Sequence, residues 1–211
     1  MSQSYSVLAA PAAFEHVEKR SVFHAILLPV SSREEAMAEL AKIKNAQPGA
    51  NHYCWAYIIG AAAQPKTLAF SDDGEPSGTA GKPMLNVLQH REAGDCLAVV
   101  VRIFGGVKLG AGGLVRAYSA AVSGALDLAQ WQTLVPTCSV TIAIPFALEQ
   151  KVRHFLAERD ITQIDAHYTE KVYLHCDVPE DVYAQLDSAL ADLSAGAAML
   201  TRPEEKAREK E

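Results

Sequence analysis

The chain has 211 residues, of which 49% are hydrophobic and 21% charged, and its formal net charge is −6. This is an ordinary globular composition with room for one large domain or two small ones, and it argues against a general polyanion binder. Acidic and basic residues balance up to residue 131, 11 of each, so the whole negative excess lies beyond it, and any contact with nucleic acid is expected to be local and on the first part. Met1–Val17 is weakly patterned and reads as a partly extended lead-in. Ser21–Val30 (SVFHAILLPV) is rich in strand formers. Ser32 followed by Glu35 fits a capping box, opening a helix whose apolar face is Ala36, Leu40 and Ile43 and which ends near Gln47-Pro48-Gly49. Cys54–Ile59 and Thr67–Phe70 read as a hairpin with Gln64-Pro65 in its turn. A polar loop, Ser71–Pro83, comes next, and Pro83 fits the first position of a helix to about Arg91. Gly94-Asp95 turns into a central strand, Cys96–Phe104. A glycine-rich stretch then leads to a helix from Leu114 to about Trp131, whose mostly alanine face suits close packing on a sheet.

Residues 132–137 read as a linker. Beyond it, strands at Cys138–Ile144, Gln163–Tyr168, Lys171–Asp177 and Ala197–Thr201 alternate with helices at Phe146–Arg159 and Glu180–Leu193. The order β-α-β-β-α-β is that of a ferredoxin-like module. The expected division is therefore a domain over 1–131, a second over 138–201 and a charged tail over 202–211. Cys54, Cys96, Cys138 and Cys176 lie far apart in apolar runs, without C-x-x-C or zinc spacing. Free buried thiols and a cytoplasmic location are expected. No basic residue precedes the apolar run Val7–Ala13 and no run approaches 18 apolar residues, so neither a secretory signal nor a membrane span is expected.

Two loops hold the residues that could carry chemistry. Val101–Tyr118 (VRIFGGVKLGAGGLVRAY) places Gly105, Gly106, Gly110, Gly112 and Gly113 within nine residues. Such a loop loses much backbone entropy on folding, and exists where the chain turns at positive φ or approaches something closely. Between a strand and a helix N-terminus its N–H groups would make an anion or phosphate site. Lys108 and Arg116 frame that site, and Arg102 and Lys82 add charge. The other reading is a tight turn with small residues packed under the helix. The dinucleotide fingerprint fails, because Val115 stands where its third glycine belongs. The second loop, SDDGEPSGTAGKP, holds Asp72, Asp73, Glu75, Ser77 and Thr79. Either its carboxylates hold a hard cation such as Mg²⁺, or Asp73-Gly74 is a turn that Glu75-Pro76 continues. The Walker pattern fails at Pro76 and at Pro83. His52, beside Tyr53 and Trp55, reads as a general base, a base-stacking partner or a hydrogen-bonded loop histidine. No complete catalytic signature occurs, so no catalytic residue is assigned and no metal or cofactor is expected.

SDDGEPSGTAGKPM (Ser71–Met84), VRIFGGVKLGAGGLVRAY and NHYCWAY (Asn51–Tyr57) resemble the YigZ/IMPACT family over about residues 15–131, and the C-terminal module fits the second domain of its bacterial members. The resemblance implies an α+β protein. Its N-terminal domain would share the fold of the second domain of small-subunit ribosomal protein five, and its ferredoxin-like C-terminal domain would be similar to the last domain of elongation factor EF-G. It also implies a link to translation, since eukaryotic members regulate initiation through a stress-kinase activator. RNA, the ribosome or a translation factor is the expected partner, bound through the glycine-rich face, with no sequence-specific DNA binding. Lys19-Arg20-Ser21-Val22-Phe23 departs from the family, which carries an arginine where Val22 stands. The acidic net charge and the lack of an aromatic stacking platform weigh against RNA. The alternative is an enzyme acting on a phosphate-bearing small molecule with a divalent metal.

Overall fold

The computed structural model describes residues 4–202. The expected tail lies outside the described residues beyond Arg202. The described residues form two compact units, Ser4–Leu134 and residues 135–202. Both are α+β with antiparallel sheets.

In the first unit the strands are β1 (Tyr5–Leu8), β2 (Ala12–Glu18), β3 (Ser21–Pro29), β4 (His52–Ile59), β5 (Thr67–Ser71), β6 (Cys96–Ile103) and β7 (Trp131–Leu134). The helices are α1 (Arg33–Ala46), α2 (Gly81–His90) and α3 (Ala111–Leu128). Five strands make one sheet in the order β2-β3-β6-β4-β5. Helices α2 and α3 cover one face, where Phe23, Cys54, Ile58 and Val100 meet Met84, Leu88, Tyr118 and Val122. Helix α1 lies on the other, where Ala36, Leu40 and Ile43 meet Tyr57, Leu97 and Val99. With helices on both faces, the central strand β6 is apolar without alternation from Cys96 to Val101 and buried through Arg102.

The start of α1 follows the expected capping pattern. Ser32 Oγ accepts from Glu35 N at 3.1 Å. Glu35 Oε2 accepts in return from Ser31 N at 2.7 Å and Ser31 Oγ at 2.9 Å, one residue before the N-cap.

Three local expectations are corrected. Residues 132–134 are not linker: β7 pairs with β1, Tyr5 opposite Leu134 and Leu8 opposite Trp131. The lead-in is therefore two strands, which local patterning cannot reveal because the partner of β1 lies more than a hundred residues away. Pro83 is the third residue of α2, not the first. It is harmless there, since no N–H of the first turn has an intrahelical partner. Helix α3 begins at Ala111, so Gly112 and Gly113 lie inside its first turn.

The second unit contains β8 (Thr137–Ile144), a short 3₁₀ turn (Phe146–Leu148), α4 (Glu149–Ala157), β9 (Ile164–Tyr168), β10 (Val172–Pro179), α5 (Glu180–Ser194) and β11 (Met199–Thr201). Its sheet order is β11-β8-β10-β9, the split βαβ topology. Val140, Ile142, Leu174 and Val178 pack against Val152, Leu156, Leu186 and Leu190. All four cysteines are free, and burial pushes the Cys96 thiol up to about 12 and the Cys176 thiol to about 11. Among the described residues no helix is long and apolar enough to cross a membrane.

Candidate functional site: a cleft between two loops

Sheet order brings the two polar loops together. Strand β4 lies beside β6 with His52 opposite Arg102, and the loop after β5 folds over that end of the pair. A cleft of about 460 Å³ results. Its walls are Pro76, Phe104, Leu109 and Leu114, its polar groups Asn51, His52 and Lys108, and its floor Glu75 and Arg102. The start of α3, Gly110 and Ala111, borders it.

Glu75 and Arg102 form a buried ion pair at 2.5 Å, their side chains 3% and 6% exposed. Tyr118 Oη donates to the same carboxylate oxygen at 2.7 Å. Cys54 Sγ lies 3.2 Å from Tyr118 Oη and 2.9 Å from Asp72 O. Burial pushes both the tyrosine hydroxyl and the Cys54 thiol upward, the thiol to about 12, so both remain protonated donors. The Arg102 guanidinium lies over two rings, 5.3 Å from the Phe23 centroid and 5.6 Å from that of Phe104. Its Nε has no hydrogen-bond partner among the described residues. Arg102, expected to meet a phosphate, is thus committed to Glu75 beneath the cleft. Removing either partner of such a pair costs about 3–5 kcal/mol.

The three carboxylates expected as possible cation ligands have separate tasks. Asp72 Oδ1 accepts from Ala80 N and Gly81 N, and Oδ2 accepts from Gly78 N, so Asp72 caps α2 from outside the helix. Asp73 Oδ2 accepts from Tyr53 N at 2.7 Å, and Oδ1 pairs with Lys44 at 3.3 Å. Asp73 and Gly74 take φ of 43° and 89°, the turn that the sequence offered as the other reading. Among the described residues no group of three His, Cys, Asp or Glu side chains is placed to hold a metal ion. Thr79 is buried, its hydroxyl donating to Pro76 O at 2.6 Å, and Ser77 is exposed.

His52 Nδ1 lies 2.9 Å from Asp73 O. A carbonyl only accepts, so Nδ1 carries the proton, and in the neutral ring Nε2 is left with its lone pair. Nε2 lies 3.9 Å from Glu75 Oε1 and makes no hydrogen bond among the described residues.

The five glycines of the loop divide by cause. Gly106 and Gly110 take φ of 83° and 73°, the left-handed region that favours glycine. A Cβ on Gly105 would overlap the Arg20 carbonyl, and one on Gly113 would come to 2.9 Å from Leu109 Cβ. Gly112 meets neither demand; its nearest neighbour would be Arg116 Nη1 at 3.6 Å. That guanidinium therefore folds over the first turn of α3. No side chain caps this helix, and its first N–H groups have no intrahelical partner. Lys108 and Arg116 are exposed, as are Lys19 and Arg20 at the β2–β3 turn that Gly105 touches. Lys82 is also exposed, on the first turn of α2, and does not line the cleft.

Sequence reasoning missed Asn51 and Phe104. Asn51 Oδ1 accepts from Phe104 N at 2.8 Å, holding the loop at its start. Phe104, which the sequence places at the end of the central strand, lies just past β6 and is 43% exposed at the cleft.

The family profile described as the Impact N-terminal domain matches residues 19–126, and a second, described as a domain of unknown function (DUF1949), matches residues 142–197. The chain is 36% identical over 203 residues to the IMPACT family member YigZ of Escherichia coli, covering 96% of this chain and 100% of that protein. It is 36% identical to an IMPACT family member of Haemophilus influenzae, covering 91% and 93%, and 36% identical to YvyE of Bacillus subtilis, covering 93% and 89%. A crystal structure of a hypothetical protein, 35% identical, superposes with a TM-score of 0.71 over 96% of this chain and 98% of that one.

Proposed function

The chain belongs to the IMPACT family, and we propose that it binds RNA of the translation machinery through the glycine-rich rim of its first unit. One observation carries this reading. Exposed Lys108 lies on the loop that leads into the uncapped N-terminus of α3, the Arg116 guanidinium reaches back to the first turn of that helix, and Lys19 and Arg20 sit where the loop meets the β2–β3 turn. Phosphates are held by such donors and positive ends. The charge balance agrees, since the negative excess lies after residue 131. The link to translation rests on the resemblance of both units to ribosome-associated folds, which is analogy. The enzyme reading with a divalent metal is the less favoured one, because Asp72, Asp73 and Glu75 would each have to leave partners that already hold them.

The test is RNA affinity against salt. Lys108→Ala and Arg116→Ala should leave the melting temperature nearly unchanged, because exposed charges contribute little to stability. Each should weaken RNA binding by roughly 1–3 kcal/mol and lower the salt slope by about one. If both leave affinity and slope intact, the rim is not the binding surface.

A further inference from the structure

We infer that the cleft beside this rim takes a splayed-out nucleobase, so that the protein selects single-stranded RNA over duplex; this rests on the RNA reading above and names the form of RNA.

The rim alone attracts any polyphosphate backbone. The cleft is different in kind. Its volume of about 460 Å³ falls within the roughly 300–1,000 Å³ range of small-molecule sites, which are apolar walls with a few placed polar groups. Pro76, Leu109 and Leu114 are the aliphatic walls, and Phe104 supplies an aromatic ring. That ring is 43% exposed, yet held by the Arg102 guanidinium 5.6 Å from its centroid and by the hydrogen bond from its own N–H to Asn51. A pre-positioned aromatic ring is a stacking platform, and stacking needs a base whose face is free. Two edge groups border the same space. His52 Nε2 is an acceptor in the tautomer fixed by Asp73 O, and Asn51 has its amide NH₂ available because Oδ1 serves Phe104 N. A donor and an acceptor beside a ring are what an unpaired base edge requires. Lys108 at the mouth places a cation where the backbone of such a nucleotide would run. Bases inside a duplex are stacked and paired, and cannot enter.

The experiment uses the full chain with a fluorescent ten-nucleotide single-stranded RNA and a blunt RNA duplex of equal length, in the same salt. Wild type should bind the single strand at least ten-fold tighter. Phe104→Leu keeps apolar volume but removes the ring, and should lower single-strand affinity roughly ten-fold while leaving duplex affinity unchanged. Phe104→Trp keeps a ring and should retain the preference, with its added tryptophan fluorescence quenched as the single strand saturates. Lys108→Ala should weaken both RNAs alike. Equal binding of the two RNAs overturns the inference, as does an unaffected Phe104→Leu or an unquenched Phe104→Trp at saturation, while the rim reading survives all three. If wild type binds neither RNA, both readings fall.

Discussion

Gly112 is the residue at which the two readings of the glycine loop separate. Gly105, Gly106, Gly110 and Gly113 are each accounted for by a backbone angle or a close neighbour. Gly112 lies in the first turn of α3, where a Cβ would make only an ordinary contact, 3.6 Å to Arg116 Nη1. Alanine is the better helix former by roughly 0.5–1 kcal/mol in a helix interior, so Gly112→Ala should hold or raise the melting temperature. The same change should weaken RNA binding if a phosphate needs the bare backbone there. Gly105→Ala should do the reverse to stability, because its methyl group would overlap the Arg20 carbonyl. Thermal melts of both variants, each paired with an RNA titration, check this. A Gly112→Ala protein that is more stable and binds RNA undiminished would leave the glycine with only an accidental role.

Among the elements, α1 was legible to its caps and β7 was hidden altogether, and the difference is physical. A capping box, a Pro-Gly stop and a 3.6-residue period are local signals that marked α1, as strand-forming runs and turn residues marked the β4–β5 hairpin and the βαββαβ order. Pairing of β7 with β1 is non-local, as is the approach of the two loops, which depends on β4 taking its place beside β6. Phe104, expected as the last residue of the central strand, lies one residue past β6, and the exposure of its ring depends on how the two loops meet at that end of the sheet. The cap of α1 yields a prediction in pH. The backbone N–H and hydroxyl of Ser31 donate to Glu35 and hold its carboxyl below the ordinary range. A folded-state pKa below the unfolded one adds stability above the unfolded carboxylate range, and that stability is lost as pH falls through the lowered value. Glu35→Gln should therefore be less stable than wild type at neutral pH, with the gap closing in acid. Ser32→Ala should cost about 1 kcal/mol at every pH, since it removes a neutral acceptor from Glu35 N. Urea unfolding of both variants at neutral and acid pH separates the two.

For the molecule as a whole, the extent of the first unit decides how it can be handled and tested. The sequence suggests a boundary at 131, yet Trp131–Leu134 is strand β7 and only residues 135 and 136 separate it from β8. A two-residue connector gives a protease little extended chain, so truncation is the better probe. We expect a chain ending at Leu134 to fold alone, because its sheet, three helices and core cluster lie entirely within Ser4–Leu134. A chain ending at Gln130 should fold less stably. It would strip β1 of its ladder partner and expose a strand whose Val7 and Leu8 are 3% and 1% exposed in the intact unit. The melting temperature should fall by about 5–10 °C, the effect of one to two kcal/mol in a domain of this size. Equal melting temperatures for the two fragments would place β7 outside the cooperative unit and restore the boundary at 131. Failure of the longer fragment to fold would show that the first unit depends on the second. RNA binding by the Leu134 fragment with the affinity of the full chain would place the binding surface within the first unit, as the position of Lys108, Arg116 and Phe104 requires.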